Sequence, residues 1–220
     1  FAFEHVASNV RSAVKRLGIR YPVVQDNRFK TWDNYANQYW PAEYLIDRSG
    51  RVRHTHFGEG EYPQTEALIR RLLAVKGKLA PQLPDMTPTE AMTPETYLGY
   101  QRIGSYTGTQ IVPDKTAHYT FAKDLFSNAF SYDGTWRVGA EEITAVRDAR
   151  LRFEFEAKNV YLVLGGHGTV QVLIDGKHTK TLRVDAQKLY TVRASNTFAN
   201  DAVLELRFTP GVKAYAFTFG

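Results

Sequence analysis

Apolar positions in the first 78 residues recur with two periods. Val10, Val14 and Leu17 follow Asn9 at helical spacing and Gly18 stands where a helix would stop, which predicts a helix over 8–17. Residues 21–25, YPVVQ, form a short apolar run read as a strand, with Asp26 and Asn27 as turn or cap residues before a second helix over 28–37. Strands over 43–46 and 52–57 are joined by Asp47, Arg48, Ser49 and Gly50, a turn composition that predicts an antiparallel hairpin. A last helix over 65–75 places Leu68, Ile69, Leu72 and Leu73 on one face, with Gly77 just past its end. The expected order is αβαββα.

Residues 79–96 break the pattern. Prolines at 81, 84, 88 and 94, set among Thr, Gln and acidic residues, read as an extended linker with a short turn over 88–92. From residue 97 to 220 the period becomes two. Strands are expected near 118–122, 129–133, 135–138, 150–156, 159–164, 169–174, 181–184, 188–194, 202–208 and 213–219, with no convincing helix. Leu151, Phe153 and Phe155 alternate with Arg152, Glu154 and Glu156, the mark of a sheet covered on one face. Asp133-Gly134 and Asp175-Gly176 read as hairpin turns, and Gly165, Gly166 and Gly168 as a glycine hairpin. Many short strands indicate a β-sandwich of jelly-roll type. The fold class expected is an α/β half-domain followed by an all-β sandwich.

Composition adds exclusions. The 220 residues are 43% hydrophobic and 23% charged, a globular profile. Cys is absent, so neither a disulfide nor a thiolate nucleophile can be built from this chain itself. The net charge of +5 resides in residues 1–78, with 13 Lys+Arg against 8 Asp+Glu, while residues 79–220 balance 15 against 15. Basic and acidic residues interleave throughout, which argues against nucleic acid as a partner.

The run NQYWPAEYLID, in which Pro41 enters a strand that continues into a hairpin, together with FAFEHVASNV, GIRYPVVQDN, HFGEGEY, MTPETYLGY and the closing AYAFTFG, resembles the extracytoplasmic C-terminal region of DipZ-type proteins. The resemblance covers nearly the whole chain. It implies residues 1–78 as the C-terminal part of a thioredoxin-like domain, 79–96 as linker and 97–220 as a carbohydrate-binding-module-like domain. It further implies an extracytoplasmic thiol-disulfide oxidoreductase whose Cys-x-x-Cys lies upstream of Phe1, a tether to an upstream membrane electron-transfer domain of the CcdA type, disulfide-bearing protein substrates, and no cofactor. The chain is then a fragment, inactive alone, whose first partner is the missing N-terminal half of its own domain. The rival reading is a non-enzymatic glycan- or protein-binding module on a degenerate thioredoxin scaffold.

Candidate residues follow. In the thioredoxin fold, the loop holding Tyr39, Trp40 and a cis Pro41 docks an extended substrate; its plainer role is a rigid turn. Glu59 and Glu61 lie near the expected face of that fold as candidate proton relays, or as solvated loop residues. His54 and His56 alternate on one strand without an evident third metal ligand. In the second domain Trp136, Tyr132, Tyr119 and Tyr190 are ring candidates for glycan stacking, with Asn128, Asn159 and Arg137 as polar partners, and the same rings are equally suited to a core.

Overall fold

A computed structural model describes residues 2–73, 80–85, 87 and 91–220. In chain order the elements are a 3-10 turn (Ala2–His5), α1 (Ala7–Arg16), α2 (Lys30–Asn34), β1 (Ala42–Ile46), β2 (Val52–Phe57) and α3 (Tyr62–Leu73). Then come β3 (Thr96–Tyr97), β4 (Thr116–Tyr119), β5 (Phe130–Val138), β6 (Ile143–Ala157), β7 (Val160–Gly165), β8 (Gly168–Ile174), β9 (Lys177–Val184), β10 (Lys188–Arg193), β11 (Ala199–Phe208) and β12 (Lys213–Phe219). Two compact units result: His5–Glu90, and Ala91–Gly220 joined by the extreme N-terminus.

The hydrophobic core lies in the Ala91–Gly220 unit. Its ten strands form one continuous sheet in the order β10-β7-β12-β6-β11-β8-β9, with β5 on β6, β4 on β5 and β3 on β12. The 15-residue β6 joins the parts of this sheet: its start pairs with β12 at Lys213 and Ala214, and its remainder with β11. Inward side chains then meet across the fold, with Phe153 of β6 5.0 Å from Phe217 of β12 and Trp136 of β5 5.1 Å from Phe208 of β11. Phe130, Tyr132, Trp136, Leu151, Phe153 and Leu204 are completely buried.

Two expected hairpins are corrected. Asp133-Gly134 does not turn the chain; β5 runs straight through it with a register shift between Asp133 and Thr135. Gly134 has φ +83°, and an added Cβ would lie 2.1 Å from the Asp148 carbonyl oxygen, so glycine is there for a bulge. Gly165–Gly168 is likewise no hairpin, because β7 and β8 do not pair with each other. Gly166, at φ +78°, permits the approach of the Gly211 carbonyl oxygen, which a Cβ would meet at 2.4 Å. Asp175-Gly176 does make the expected tight turn between Ile174 and Lys177, with φ 48° and 76°, both positive as a type I′ turn requires.

The His5–Glu90 unit differs in kind. β1 and β2 pair antiparallel, Leu45 opposite His54 and Glu43 opposite His56, as a two-stranded sheet. The turn is built as its residues imply: Asp47 Oδ1 accepts hydrogen bonds from the Ser49 and Arg51 N–H groups at 2.8 and 3.0 Å and from the Ser49 hydroxyl, and Gly50 takes φ +78°. The expected strand at 21–25 is not formed, which corrects the order to ααββα. A strand needs a neighbour for its backbone groups, and among the described residues none pairs with this segment. The second helix is also shorter than its pattern. It starts after Phe29, at φ 57°, with Asp26 Oδ2 accepting the Trp32 N–H at 2.9 Å, and Ala36 at φ 48° ends it. The expected turn at 88–92 falls partly outside the described residues.

Candidate functional site

The loop leading into β1 is held by its own side chains. Asn37 donates through Nδ2 to the Tyr39 carbonyl oxygen at 2.9 Å and accepts the Tyr44 hydroxyl on Oδ1 at 2.9 Å. Tyr35 packs on Tyr44 at 4.7 Å, Tyr44 on Phe57 at 6.0 Å and Phe57 on Tyr39 at 5.0 Å between ring centroids. This aromatic ladder crosses the hairpin and fixes one side of the loop. The Pro41 carbonyl oxygen accepts the Gly58 N–H at 2.9 Å, fixing the other. Between these anchors the Trp40-Pro41 peptide is cis, and Trp40 stands 82% exposed. Asn37 was not singled out from the sequence. Its signal was an amide two residues before Tyr39, indistinguishable there from an ordinary turn residue.

Glu59 and Glu61 have specific partners. Glu59 Oε2 accepts the Tyr62 hydroxyl at 2.5 Å, and this bond raises the tyrosine's pKa because it favours the neutral phenol. Glu61, at φ 53°, brings Oε2 to 3.4 Å from His56 Nδ1. Nε2 of His54 and of His56 is buried without a hydrogen-bond partner among the described residues. No group of three His, Cys, Asp or Glu among the described residues is arranged to hold a metal ion.

Apolar exposure is the dominant feature of this unit. No side chain of α1, α2 or α3 is buried among the described residues, and of the whole unit only Gly60 is. Leu17, Tyr21 and Val24 are 67, 70 and 83% exposed. An open groove of about 420 Å³ lies between α1 and the segment that follows it, lined by Val10, Val14, Tyr21 and Val23 among others. Each large side chain left in water forgoes roughly 1.5–3 kcal/mol of burial, while ordering the backbone costs about 1–2 kcal/mol per residue.

In the β unit the ring candidates are corrected by burial. Trp136, Tyr132 and Tyr119 are 0% exposed and Tyr190 8%, so none offers a face to a sugar. Their polar atoms are satisfied internally: Trp136 Nε1 donates to the Asp133 carbonyl oxygen, the Tyr132 hydroxyl to that of Leu98 and the Tyr190 hydroxyl to that of Ala186, while the Tyr119 hydroxyl accepts the Val112 N–H. Asn128 adopts φ 61° in a turn, with Nδ2 on the Ser127 hydroxyl and Oδ1 buried. Asn159 accepts the Ser195 N–H, and Arg137 donates to the Asp114 carbonyl oxygen. The exposed ring here is Phe126, 70% exposed, which no alternation pattern marks because it sits in a loop.

The outward face of the same sheet is charged and ordered. Glu205 of β11 is 7% exposed and accepts Arg152 Nε and Arg207 Nε at 2.8 Å each, one on each carboxylate oxygen. Burial pushes its pKa up, but the two arginines outweigh burial and hold it below the ordinary value. Arg150 donates to Asp133, and the Arg150 and Arg152 guanidinium carbons lie 5.5 and 4.3 Å from the centre of the Phe121 ring.

Residues 93–220, nearly the whole β unit, match the model of a family described as Thioredoxin like C-terminal domain. Protein DipZ of Mycobacterium bovis and Protein DipZ of Mycobacterium tuberculosis are each 40% identical to this chain over 228 positions and all of its length. The chain spans 33% of the length of those relatives. Among solved structures, CsCBM6-3 from Clostridium stercorarium in complex with cellobiose aligns over 43% of this chain and 84% of its own, with 15% identity and a TM-score of 0.28. No helix among the described residues is long and apolar enough to cross a membrane.

Proposed function

The chain belongs to the thioredoxin-like C-terminal domain family, and on that premise we propose that it is the C-terminal region of a DipZ-type, extracytoplasmic thiol-disulfide oxidoreductase. Residues 1–78 are the second half of a thioredoxin-like domain, 79–96 a linker and 97–220 a β-sandwich of jelly-roll type. The observation that carries this reading is the His5–Glu90 unit itself, in which, among the described residues, no helical side chain is buried and β1 has β2 as its one partner. A preceding segment that inserts a strand beside β1 and a helix over the groove at Val10 and Val14 would satisfy both backbone and apolar groups. That segment would also bring the sulfurs this chain lacks.

In that assembly the chain's own residues orient substrate. The loop before β1, rather than the strand edge, offers its backbone at Trp40 to an extended peptide, and the Tyr39 and Trp40 rings form an apolar rim beside it. The preceding dithiol attacks the substrate disulfide as a thiolate, a mixed disulfide forms, the second sulfur displaces the reduced substrate, and an electron donor of the CcdA type reduces the resulting disulfide. Glu59 and Glu61 are the proton relays of this reading, with Glu61 Oε2 3.4 Å from His56 Nδ1.

The test joins the chain to the roughly 150 residues preceding it in the same reading frame, about one domain's length. The chain alone should not reduce insulin disulfides. The joined protein should reduce them, Trp40→Ala should raise KM about threefold or more with little change in kcat, and amides of Ala42–Ile46 should become protected from exchange. A preceding segment without paired cysteines, or exchange at β1 unchanged by its presence, would turn the assignment toward a non-enzymatic module.

A further inference from the structure

Part of the Pro-rich segment after α3 is fastened to the His5–Glu90 unit. Pro81 and Pro84 favour an extended backbone over 80–85 and contribute no amide donors. The groups that remain go to one ion pair on α3. Arg70 binds Glu66 Oε1 through Nε at 2.8 Å and also through Nη2. The same guanidinium donates from Nη1 to the Ala80 carbonyl oxygen at 2.7 Å and from Nη2 to that of Pro81 at 3.0 Å. Glu66 Oε2 accepts the Leu83 N–H at 3.2 Å. The Arg70 bond first, and the Leu83 N–H after it, hold the Glu66 carboxyl below its ordinary pKa against its partial burial. Apolar burial does not fasten this segment, because every residue over 80–85 is exposed, Leu83 by 77%. Further on, Asp85 Oδ1 accepts the Thr87 N–H at 3.0 Å, and Thr87 lies over Gly60, where an added Cβ would meet Thr87 Cγ2 at 3.1 Å. The segment therefore runs back along α3, past Arg70 and then Glu66, to the loop that precedes the helix.

That loop is the one that anchors the candidate docking site. The Gly58 N–H is accepted by the Pro41 carbonyl oxygen at 2.9 Å, and Glu59 and Glu61 flank Gly60, which is buried. From this arrangement we infer that residues 80–87 form a strap, latched by the Glu66–Arg70 pair and seated through Thr87 on Gly60, that positions the Trp40-Pro41 loop for a disulfide-bearing substrate. Glu66, Arg70 and Thr87 are then positioning residues. The substrate side of this role rests on the oxidoreductase reading, whereas the hold of the strap on the loop does not. A plain spacer needs none of these bonds, and a segment kept for stability alone would bury apolar side chains. The strap does neither. It presents two carbonyl oxygens and one N–H to a guanidinium and a carboxylate, charge-assisted bonds that all depend on one pair of side chains. Removing either partner of the pair should release it, and release leaves Gly60 without the methyl group that covers it.

The experiment uses the protein joined to its preceding domain and reads two quantities, amide exchange at Gly58 and the kinetics of insulin disulfide reduction. Arg70→Ala removes both carbonyl bonds from the helix side. Leu83→Pro removes the N–H from the strap side without touching α3, so it keeps the test valid if the helix variant folds poorly. Thr87→Gly removes the methyl group over Gly60. Each should speed exchange at Gly58 by about fivefold or more, and each should raise KM about threefold with kcat within about twofold of the parent. Arg71→Ala, an exposed arginine beside the latch on α3, should change neither. The inference is overturned if Gly58 exchanges at the parent's rate in all three variants, or if Arg71→Ala speeds it equally. Faster exchange with KM unchanged overturns the substrate-positioning role. A parent that reduces no disulfide sinks the oxidoreductase reading and the substrate role with it, while exchange at Gly58 still decides whether the strap holds the loop.

Discussion

Trp136 and Trp40 lie in one chain under the same solvent, yet one is 0% exposed and the other 82%. The same contrast separates Tyr132 from Tyr39, and Leu151 from Leu17. In the β unit every strand of the sheet finds neighbours, so the apolar alternation of β6 and β11 closes on that of β12. In the His5–Glu90 unit the periodicity is equally clear, but among the described residues no side chain of α1, α3 or the hairpin becomes fully buried. The lesson is that amphipathic pattern specifies an element and the side it must cover, while the covering surface has to come from somewhere else in the fold.

The largest test of this contrast is a pair of truncations. Phe153 touches Phe130 at 5.9 Å and Phe217 at 5.0 Å between ring centroids, so Phe153→Ala opens a cavity that should cost about 3–5 kcal/mol in chemical denaturation followed by tryptophan fluorescence. Leu17→Ala, at a side chain 67% exposed, should change the same transition by less than about 0.5 kcal/mol. A loss at Leu17 comparable to that at Phe153 would break the comparison, because Leu17 would then have to be packed. In the protein extended upstream, the same Leu17→Ala substitution should become costly.

How much could be read in advance follows from this. The strand-rich half was legible because alternation survives any arrangement of strands: residues 151–156 pointed Phe153 and Phe155 inward and Arg152 outward, and the structure has them so. The turn at Asp47 was legible because its hydrogen bonds are local. Connectivity was not. Asp133-Gly134 carries the signature of a hairpin, but Gly134 is required by the Asp148 carbonyl oxygen on another strand, a contact no local window contains. Ring candidates failed for a related reason. A tyrosine or tryptophan that stacks on sugar and one that fills a core are chemically the same, and only the carbonyl groups of Leu98 and Asp133 bonded to Tyr132 and Trp136 distinguish them. The Arg152–Glu205–Arg207 arrangement spans β6 and β11, 53 residues apart in sequence at its nearest bond, and registers only once the strands are paired.

A second pair of substitutions separates backbone conformation from tertiary contact. Gly134 and Gly50 have nearly the same φ, +83° and +78°, and alanine at either position carries the left-handed cost of about 1–2 kcal/mol. At Gly50 nothing lies within 4 Å of an added Cβ, whereas at Gly134 it would fall 2.1 Å from a main-chain oxygen that has no flexible side chain to yield. Gly134→Ala should therefore lower the thermal midpoint of the β unit well beyond the conformational cost, and Gly50→Ala should do no more than loosen the β1–β2 hairpin in amide exchange. Equal effects would mean that the bulge at Asp133 is dispensable.

The smallest effect is titration of the hairpin turn. The Asp47 carboxyl is held below its ordinary range first by the Ser49 hydroxyl and then by the Arg51 N–H, with Arg53 adding a weaker attraction at 3.8 Å. A carboxylate whose folded pKa is depressed stabilises the fold above its unfolded pKa of about 3.9, and that contribution disappears as pH falls through the lower folded value. Amide resonances of Ser49 and Arg51 should accordingly hold steady from neutral pH down to the ordinary carboxylate range and shift only below it, as the turn loses its acceptor. Asp47→Asn should remove this transition and leave faster exchange at Ser49 and Arg51 at every pH. In the β unit, Glu205 titrates under two arginines and against burial, so its protonation would break ion pairs on the sheet face while leaving the inward core of β11 in place. Acid should thus disturb the hairpin turn without a matching change at Leu204 and Leu206; a concerted loss at both places would show that the two units share one cooperative transition.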